Sequence, residues 1–121
     1  MPNRKILFVD DNELNRMVVQ DMLEILFEDL TVETYESAQE VLELDKQSYD
    51  LILSDINMPG IDGFELYTKL REDYNYTRPI IAVTALAITG DKEKMLMHGF
   101  NDYISKPIDI DELETTMRKY I

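Results

Sequence analysis

Hydrophobic and polar positions along the chain form two kinds of segment, and their order predicts a parallel sheet covered by helices. Short apolar runs, or alternating β-branched residues, are typical of strands. Between them, apolar residues recur every three or four positions, which is typical of amphipathic helices. The predicted strands are Ile6–Val9, Thr31–Tyr35, Asp50–Ser54, Ile80–Val83 and about Asp102–Ile104, the second of them at an edge of the sheet.

Amphipathic spacing also predicts the apolar faces of the first and last helices. From Leu14 onward the pattern becomes helical, and Asp109 caps the last helix. The predicted apolar faces are Leu14, Val18, Met22 and Ile25 in the first helix, and Ile110, Leu113, Met117 and Tyr120 in the last.

Capping and turn signals place the other helices. Ser37-Ala-Gln-Glu40 matches a capping box and opens a second helix. Pro59-Gly60 occupies the central positions of a predicted type II turn, after which Asp62 caps a third helix that runs to about Glu72. The fourth helix, near Asp91–Met97, has the weakest pattern of the five.

Five strand–helix repeats without a linker predict one α/β domain over residues 1–121. Because connections between parallel strands are right-handed, the repeats favour a doubly wound open sheet. Ligands of such sheets bind beyond the carboxyl ends of the strands, near a topological switch point. Candidate functional residues are therefore expected at the strand ends.

Composition limits the classes of protein that fit. The chain has 25 acidic residues against 12 basic ones and a net charge of −13, so direct nucleic-acid binding is not expected. The absence of cysteine excludes disulfides and thiolate metal sites, and it fits a cytosolic protein. The apolar run Ile6–Val9 is too short for a signal peptide or a membrane span. We therefore expect a soluble, cytoplasmic domain that does not bind membranes.

Acidic, hydroxyl and ammonium groups follow four of the predicted strands. The strands end in Asp10-Asp11, Asp55, Thr84 and Ser105-Lys106. Since parallel strands end at the same rim of a sheet, these groups are expected to share one pocket. Carboxylates in one pocket repel each other unless a cation lies between them, and an oxygen-only site suits Mg²⁺. The sequence therefore predicts a Mg²⁺ site at Asp10-Asp11, with one carboxylate binding directly and the other partly through water.

Phosphoryl transfer to Asp55 is the reaction that this set of residues favours. A carboxylate can act as a nucleophile and form an acyl phosphate. Asp55 follows an apolar strand and precedes a tight turn, so one of its oxygens can face the metal and the other can attack. Lys106 supplies a positive charge for the phosphate, Thr84 a hydroxyl donor, and the small Ala85 leaves room at the backbone.

Four stretches of the chain resemble the response-regulator receiver domain, the family that includes the bacterial chemotaxis response regulator. They span the chain in the family's order and spacing, and together they are highly specific. The resemblance implies a flavodoxin-like fold with strand order 2-1-3-4-5. The stretches are Ile6-Leu-Phe-Val-Asp-Asp11, Asp50-Leu-Ile-Leu-Ser-Asp-Ile-Asn-Met-Pro-Gly-Ile-Asp-Gly63, Ala82-Val-Thr-Ala85 and Asp102-Tyr-Ile-Ser-Lys-Pro107.

The resemblance also implies a role in two-component signal transduction for each matching position. Asp55 resembles the phosphoacceptor, which takes a phosphoryl group from a histidine kinase or a histidine phosphotransfer protein. The chain would then catalyse at most its own phosphotransfer and dephosphorylation. The other implied roles are the Mg²⁺-binding acidic pair (Asp10, Asp11), a backbone carbonyl ligand (Asn57), the switch hydroxyl (Thr84), the phosphate-pairing lysine before a cis bond (Lys106, Pro107), the aromatic that swings inward (Tyr103), and the output face (about 91–121).

Two features leave questions open within the family. Leu86 is apolar where many receivers carry a polar side chain, so no lifetime of the phosphate is predicted. The stretch Gly99–Pro107 resembles receivers attached to hybrid histidine kinases. A stand-alone regulator and a receiver from a larger protein both fit the sequence.

Two other functions fit the sequence less well than that of a receiver. A haloacid-dehalogenase-type phosphatase would carry an Asp-x-Asp pattern after its first strand, where this chain has Asp10-Asp-Asn12, and its cap domain does not fit into this length. A binding module of the same fold that is never phosphorylated is the second alternative. The presence of every acidic, hydroxyl and lysine position argues against it.

Overall fold

The computed structural model describes residues 3–85 and 91–121 of the chain. Leu86 lies outside them. The strands are β1 (Arg4–Val9), β2 (Leu30–Tyr35), β3 (Leu51–Asp55), β4 (Ile80–Thr84) and β5 (Asp102–Ser105). The helices are α1 (Glu13–Leu26), α2 (Ala38–Leu42), α3 (Gly63–Glu72), α4 (Asp91–His98) and α5 (Ile110–Arg118), with a short 3₁₀ helix at Lys46–Ser48.

The predicted order of strands and helices is confirmed, with small differences in length. β1 begins at Arg4, two residues before the predicted start, and the 3₁₀ helix was not predicted. α1 has 14 residues. None of the helices in the described ranges is both long and apolar enough to cross a bilayer.

The five strands form one parallel sheet in the order β2-β1-β3-β4-β5, as predicted. β2 lies at an edge, and its six residues are all half-buried. The chain reverses its direction of winding between β1 and β3, where Val9 is paired with Ser54. On the other side of β3, β4 pairs with β5, and Thr84 lies beside Ser105. The sheet therefore has its topological switch point beside the end of β3.

Alternate residues of the inner strands point to opposite faces of the sheet and form two hydrophobic cores. Leu7 and Ile52 belong to the core covered by α2, α3 and α4. Phe8 and Leu53 belong to the core covered by α1 and α5. Because helices cover both faces, β1, β3 and β4 are almost entirely buried, which explains their continuous apolar runs.

The predicted apolar face of α1 is confirmed only in part, since Met22 packs against the core that contains α1 and α5. Val19 and Leu23 are fully buried, whereas Leu14 and Ile25 are 67% and 75% exposed. Apolar residues occur on more than one side of this helix, so two different sets of them have helical spacing. Packing against the sheet decides which set is buried. The prediction for α5 is confirmed: its buried residues include Leu113 and Met117.

Among the described residues, side-chain caps begin four of the helices. The predicted caps of α2, α3 and α5 are confirmed, since each side chain accepts a hydrogen bond from the backbone N–H three residues later. Asn12 caps α1 in the same way. Gly60 has φ +78°, the left-handed conformation that the third position of a type II turn requires. The capping residues are Asn12, Ser37, Asp62 and Asp109.

Gly63, the first residue of α3, brings that helix against the end of β3. Its N–H donates a hydrogen bond of 2.8 Å to the carbonyl of Ile56. A β-carbon at this position would lie 2.3 Å from the carbonyl oxygen of Asp55 and 2.7 Å from the α-carbon of Ile56. Contacts with backbone atoms at such distances cannot be relieved by side-chain motion. Glycine at position 63 therefore allows α3 to fix the backbone of Asp55.

Candidate functional site

Three carboxylates lie together at the carboxyl ends of β1 and β3. Asp10 follows β1, and Asp55 is the last residue of β3, whose neighbour Ser54 pairs with Val9. One carboxylate oxygen from each of Asp10, Asp11 and Asp55 can be chosen so that all three lie within 4.8 Å of one another. Asp10 is 0% and Asp55 4% exposed, whereas Asp11 faces solvent. The predicted meeting of the acidic residues is therefore present.

Lys106 joins the two buried carboxylates. Its Nζ lies 2.9 Å from Oδ2 of Asp10 and 3.1 Å from Oδ1 of Asp55. Its backbone N–H donates to the carbonyl of Thr84 at 2.8 Å, so the loop after β5 stays beside the end of β4. The Lys106–Pro107 peptide bond is cis, in agreement with the resemblance. The ammonium thus reaches the same pocket as the acidic residues.

The electrostatics of the pocket follow from burial and from these contacts. Burial and the charge of Asp10 raise the pKa of Asp55 to about 6, although Lys106 and the N–H of Ile56 favour its ionised form. Burial disfavours the charged form of Lys106, but its contacts with Asp10 and Asp55 outweigh burial and raise its pKa. Lys106 is therefore a permanent cation, and Asp55 is an unusually basic carboxylate.

The other predicted residues lie around this centre. Thr84 is the fully buried last residue of β4, and Ala85 follows it at the surface. Asn57 is exposed, two residues after Asp55. Tyr103 lies on β5 beside Ala82 and is half-buried against the core that contains α3 and α4. Thr84, Ala85 and Asn57 thus lie at the end of the sheet that carries the acidic residues, and Tyr103 lies on the edge strand β5.

Sequence reasoning missed two residues of α1 that contact Asp10. The side-chain amide of Asn15 donates to Oδ2 of Asp10 at 3.3 Å, and the guanidinium of Arg16 donates to its backbone carbonyl at 2.7 Å. The backbone N–H of Asn12 donates to Oδ1 at 2.9 Å. The only signal in the sequence is that polar residues occupy the first turn of the helix directly after the acidic pair.

The donor set fits a magnesium ion. The cluster offers carboxylate oxygens alone, with no histidine or cysteine, which is the ligand type that Mg²⁺ prefers. One carboxylate at the surface and two in the interior provide few protein ligands and access for water, and Mg²⁺ retains several waters. Asp10, Asp11 and Asp55 are the side chains that would hold the ion.

Comparison with known proteins assigns the family. The model of the response regulator receiver domain matches residues 6–118. The polar-differentiation response regulator DivK of Brucella ovis is 37% identical over 120 residues, which are 98% of this chain and 96% of DivK. The sensor protein EvgS of Escherichia coli O157:H7 is 40% identical over 110 residues, which are 91% of this chain but only 9% of EvgS. The chain thus spans nearly all of one relative and about a tenth of the other.

Solved structures agree with this result. The receiver domain of the sensor histidine kinase PA1611 of Pseudomonas aeruginosa, with a magnesium ion in its active-site cleft, has a TM-score of 0.82 and 35% identity, covering 98% of this chain and 97% of that one. The receiver domain of Ssk1 from Saccharomyces cerevisiae, crystallised with the histidine phosphotransfer protein Ypd1, has a TM-score of 0.85 and 26% identity, covering 98% and 89%. This chain belongs to the response regulator receiver domain family of two-component signalling proteins.

Proposed function

We propose that Asp55 accepts a phosphoryl group and that the acyl phosphate changes the surface offered to a downstream partner. The observation that carries the proposal is the position of the Asp55 carboxylate, nine-tenths and more buried, between two further acidic residues and the ammonium of Lys106. Burying a cluster of this kind costs folding free energy, and such clusters are typical of functional sites, here one that supplies both a nucleophile and positive charge.

The attacking atom can be assigned from the hydrogen bonds of Asp55. Its Oδ1 accepts from the N–H of Ile56 at 2.8 Å and from Lys106 at 3.1 Å, so we assign Oδ2 as the nucleophile. A lone pair of Oδ2 forms the new P–O bond while the P–N bond to the donor histidine breaks and its electrons return to the imidazole nitrogen. The raised pKa of Asp55 makes this carboxylate more basic than an exposed one.

The remaining residues stabilise the charge on the moving group. When bound by Asp10, Asp11, Asp55 and the carbonyl of Asn57, Mg²⁺ would supply positive charge to the phosphoryl oxygens. Lys106 already contacts Oδ1, the other oxygen of the Asp55 carboxylate, and can donate to one phosphoryl oxygen. Thr84, at the end of the neighbouring strand, can donate its hydroxyl to another. The small Ala85 leaves the approach to the phosphoryl group open.

The acyl phosphate would act as a switch through Thr84 and Tyr103. A phosphoryl group adds roughly −1.5 to −2 charge. Thr84 lies one residue beyond the β4 position that pairs with Asp55, and Tyr103 lies on the next strand. Movement of Thr84 towards the phosphate would leave space that Tyr103 can fill. A few charge-assisted hydrogen bonds, each about 1.5–3 kcal/mol, are enough for a shift of about 5.5 kcal/mol between two states. The output face would be α4, β5 and α5, about residues 91–121.

The donor is proposed to be a histidine kinase or a histidine phosphotransfer protein that docks on α1. Leu14 and Met17 are 67% and 55% exposed and lie one turn apart in the first half of α1, directly after the acidic pair. An imidazole that reaches Asp55 must approach over this rim. The crystallised complex of the Ssk1 receiver with the histidine phosphotransfer protein Ypd1 supports a phosphotransfer protein as partner. The net charge of −13 argues against nucleic acid as a direct partner.

Labelling with a small phosphodonor tests the assignment of Asp55. Incubation with acetyl phosphate and Mg²⁺ should add one phosphoryl group, which intact-mass spectrometry detects. Asp55→Asn should abolish the added mass, because the amide cannot form the acyl phosphate. Asp62→Asn, which alters a nearby helix cap and not the pocket, should still be labelled. Labelling of Asp55→Asn to the same extent, or an unlabelled parent chain under conditions that label a known receiver, would contradict the proposal.

The raised pKa of Asp55 predicts a pH-dependent effect on stability. The folded state favours the protonated form of Asp55. The resulting stabilisation of the fold is complete at pH values below the pKa of Asp55 in the unfolded chain, and it is lost as pH rises through about 6. Asp55→Asn should therefore raise the free energy of unfolding of the metal-free protein by about 1–3 kcal/mol near neutral pH and by close to nothing below about pH 4. Urea unfolding in the presence of a chelator measures this difference.

The exposed Asp21 of α1 provides the control for this experiment. Asp21→Asn should change the free energy of unfolding by less than about 0.5 kcal/mol at either pH. A metal-free Asp55→Asn protein that is less stable than its parent near neutral pH would show that ionised Asp55 stabilises the fold.

Docking on α1 predicts that the two kinds of phosphodonor respond differently to the same change. Replacing Leu14 and Met17 by Gln removes apolar contact with a protein donor. Each loss of about 1.4 kcal/mol of interaction free energy lowers kcat/KM tenfold. Stopped-flow or gel assays should show kcat/KM for transfer from a phosphorylated histidine phosphotransfer domain falling about tenfold or more. Labelling by acetyl phosphate should be unchanged. Ile25→Gln, at the far end of α1, is the matched control because Ile25 is even more exposed than Leu14 and Met17. An equal loss with both donors would rule out this docking surface.

A further inference from the structure

Asp10 receives hydrogen bonds from the first turn of α1 on both of its carboxylate oxygens. The N–H of Asn12 donates to Oδ1 at 2.9 Å, and the side-chain amide of Asn15 donates to Oδ2 at 3.3 Å. Arg16 donates to the backbone carbonyl of the same residue at 2.7 Å. These three donors hold the backbone and the plane of the carboxylate independently of Lys106.

The side chain of Asn15 is not needed to begin the helix. Asn12 already caps α1, because its side chain accepts from the backbone N–H of Asn15 at 3.0 Å. In an ordinary capping box the residue at the position of Asn15 is Glu or Gln, and its oxygen accepts from the N–H of the cap residue. Here Asp10 accepts that N–H. The residue at position 15 must therefore donate to Asp10, which an amide can do and a carboxylate cannot.

The carboxylate of Asp10 can still bind a cation while it accepts the hydrogen bond from Asn15. A carboxylate has about four lone-pair sites, and Asp10 uses three of them for Asn12, Asn15 and Lys106. Among these three described groups, only the ammonium of Lys106 carries a positive charge that competes with a metal ion for the carboxylate. Asn12 and Asn15 are neutral donors, so they can remain when the cation beside Asp10 changes.

We propose that Asn15 is a positioning residue that orients Asp10 for Mg²⁺ and thereby sets the affinity of the metal site. Arg16 supports the same function by fixing the backbone carbonyl of Asp10. Groups that hydrogen-bond a metal ligand typically change metal affinity tenfold to a hundredfold when they are removed. This inference rests on the proposed Mg²⁺ site, and it adds a determinant of affinity from α1.

Measurement of Mg²⁺ binding by titration calorimetry tests the proposal directly. Asn15→Leu keeps the approximate size of the side chain and removes the donor, so the dissociation constant of Mg²⁺ should rise about tenfold. The Mg²⁺ concentration that gives half-maximal labelling by acetyl phosphate should rise by the same factor. The labelling rate at saturating Mg²⁺ should remain within about twofold of the parent, because Asn15 does not contact the phosphoryl group.

Gln20→Leu is the matched control, because Gln20 lies on the same helix and its amide bonds the exposed carboxylate of Glu24. It should leave the dissociation constant unchanged, and Asn15→Ala should reproduce the effect of Asn15→Leu. A dissociation constant in both Asn15 variants that equals that of the parent would overturn the positioning function alone. Absence of Mg²⁺ binding by the parent chain would overturn the proposed metal site and this inference with it.

Discussion

The ammonium of Lys106 lies between two buried carboxylates, and the site depends on this shared cation. Asp10 and Asp55 stand at the ends of neighbouring strands, and burial and the charge of Asp10 both disfavour the ionised form of Asp55. Lys106 contacts both at about hydrogen-bond distance and offsets part of that cost. Burial nevertheless prevails at Asp55, whose pKa stays raised. The ammonium of Lys106 therefore does not fully compensate the negative charge of the pocket, and a further cation would be stabilised there.

Strand pairing and helix packing hold the backbone of the acidic residues in place. Parallel pairing of β1 with β3 and of β3 with β4 sets the acidic residues and Thr84 at one rim. Gly63 lets α3 pack against the carbonyl of Asp55, and the cap at Asn12 starts α1 directly after the acidic pair. Each contact limits movement of one carboxylate. Repulsion within the cluster thus acts on groups that cannot separate, and it favours binding of a cation.

The parts of this account that were predictable from sequence depend on local chemistry or on a general rule of parallel sheets. The caps at Ser37, Asp62 and Asp109 are local, because each side chain bonds a backbone N–H three residues away. The meeting of Asp10 with Asp55 follows from strand direction alone, since parallel strands end at the same rim. The family match over residues 6–118 agrees with the resemblance, and it gives no support to the alternative of a phosphatase.

The parts that sequence could not provide depend on how helices are rotated on the sheet. α1 has apolar residues on several sides, and two residues of its predicted buried face, Leu14 and Ile25, are exposed. The structure buries Val19 and Leu23 instead. The same rotation places Asn15 and Arg16 over Asp10, so their contacts could not be anticipated either. Likewise, the sequence predicted Lys106 as a partner of the phosphate. Its contact with both carboxylates before any phosphate arrives depends on the loop after β5.

We infer that Lys106 neutralises Asp10 and Asp55 and that a divalent ion can take over this function. The free energy of unfolding of Lys106→Met, measured by urea denaturation with chelator and again with saturating Mg²⁺, tests both parts of this inference. Lys119→Met, which removes a surface ion pair with Asp102, is the control. Loss of one partner of a buried ion pair costs on the order of 3–5 kcal/mol, so a loss of this order is predicted without metal, and Mg²⁺ should recover most of it. An equal loss with and without Mg²⁺ would contradict replacement of the ammonium by the ion. No loss at all would contradict neutralisation of the carboxylates by Lys106.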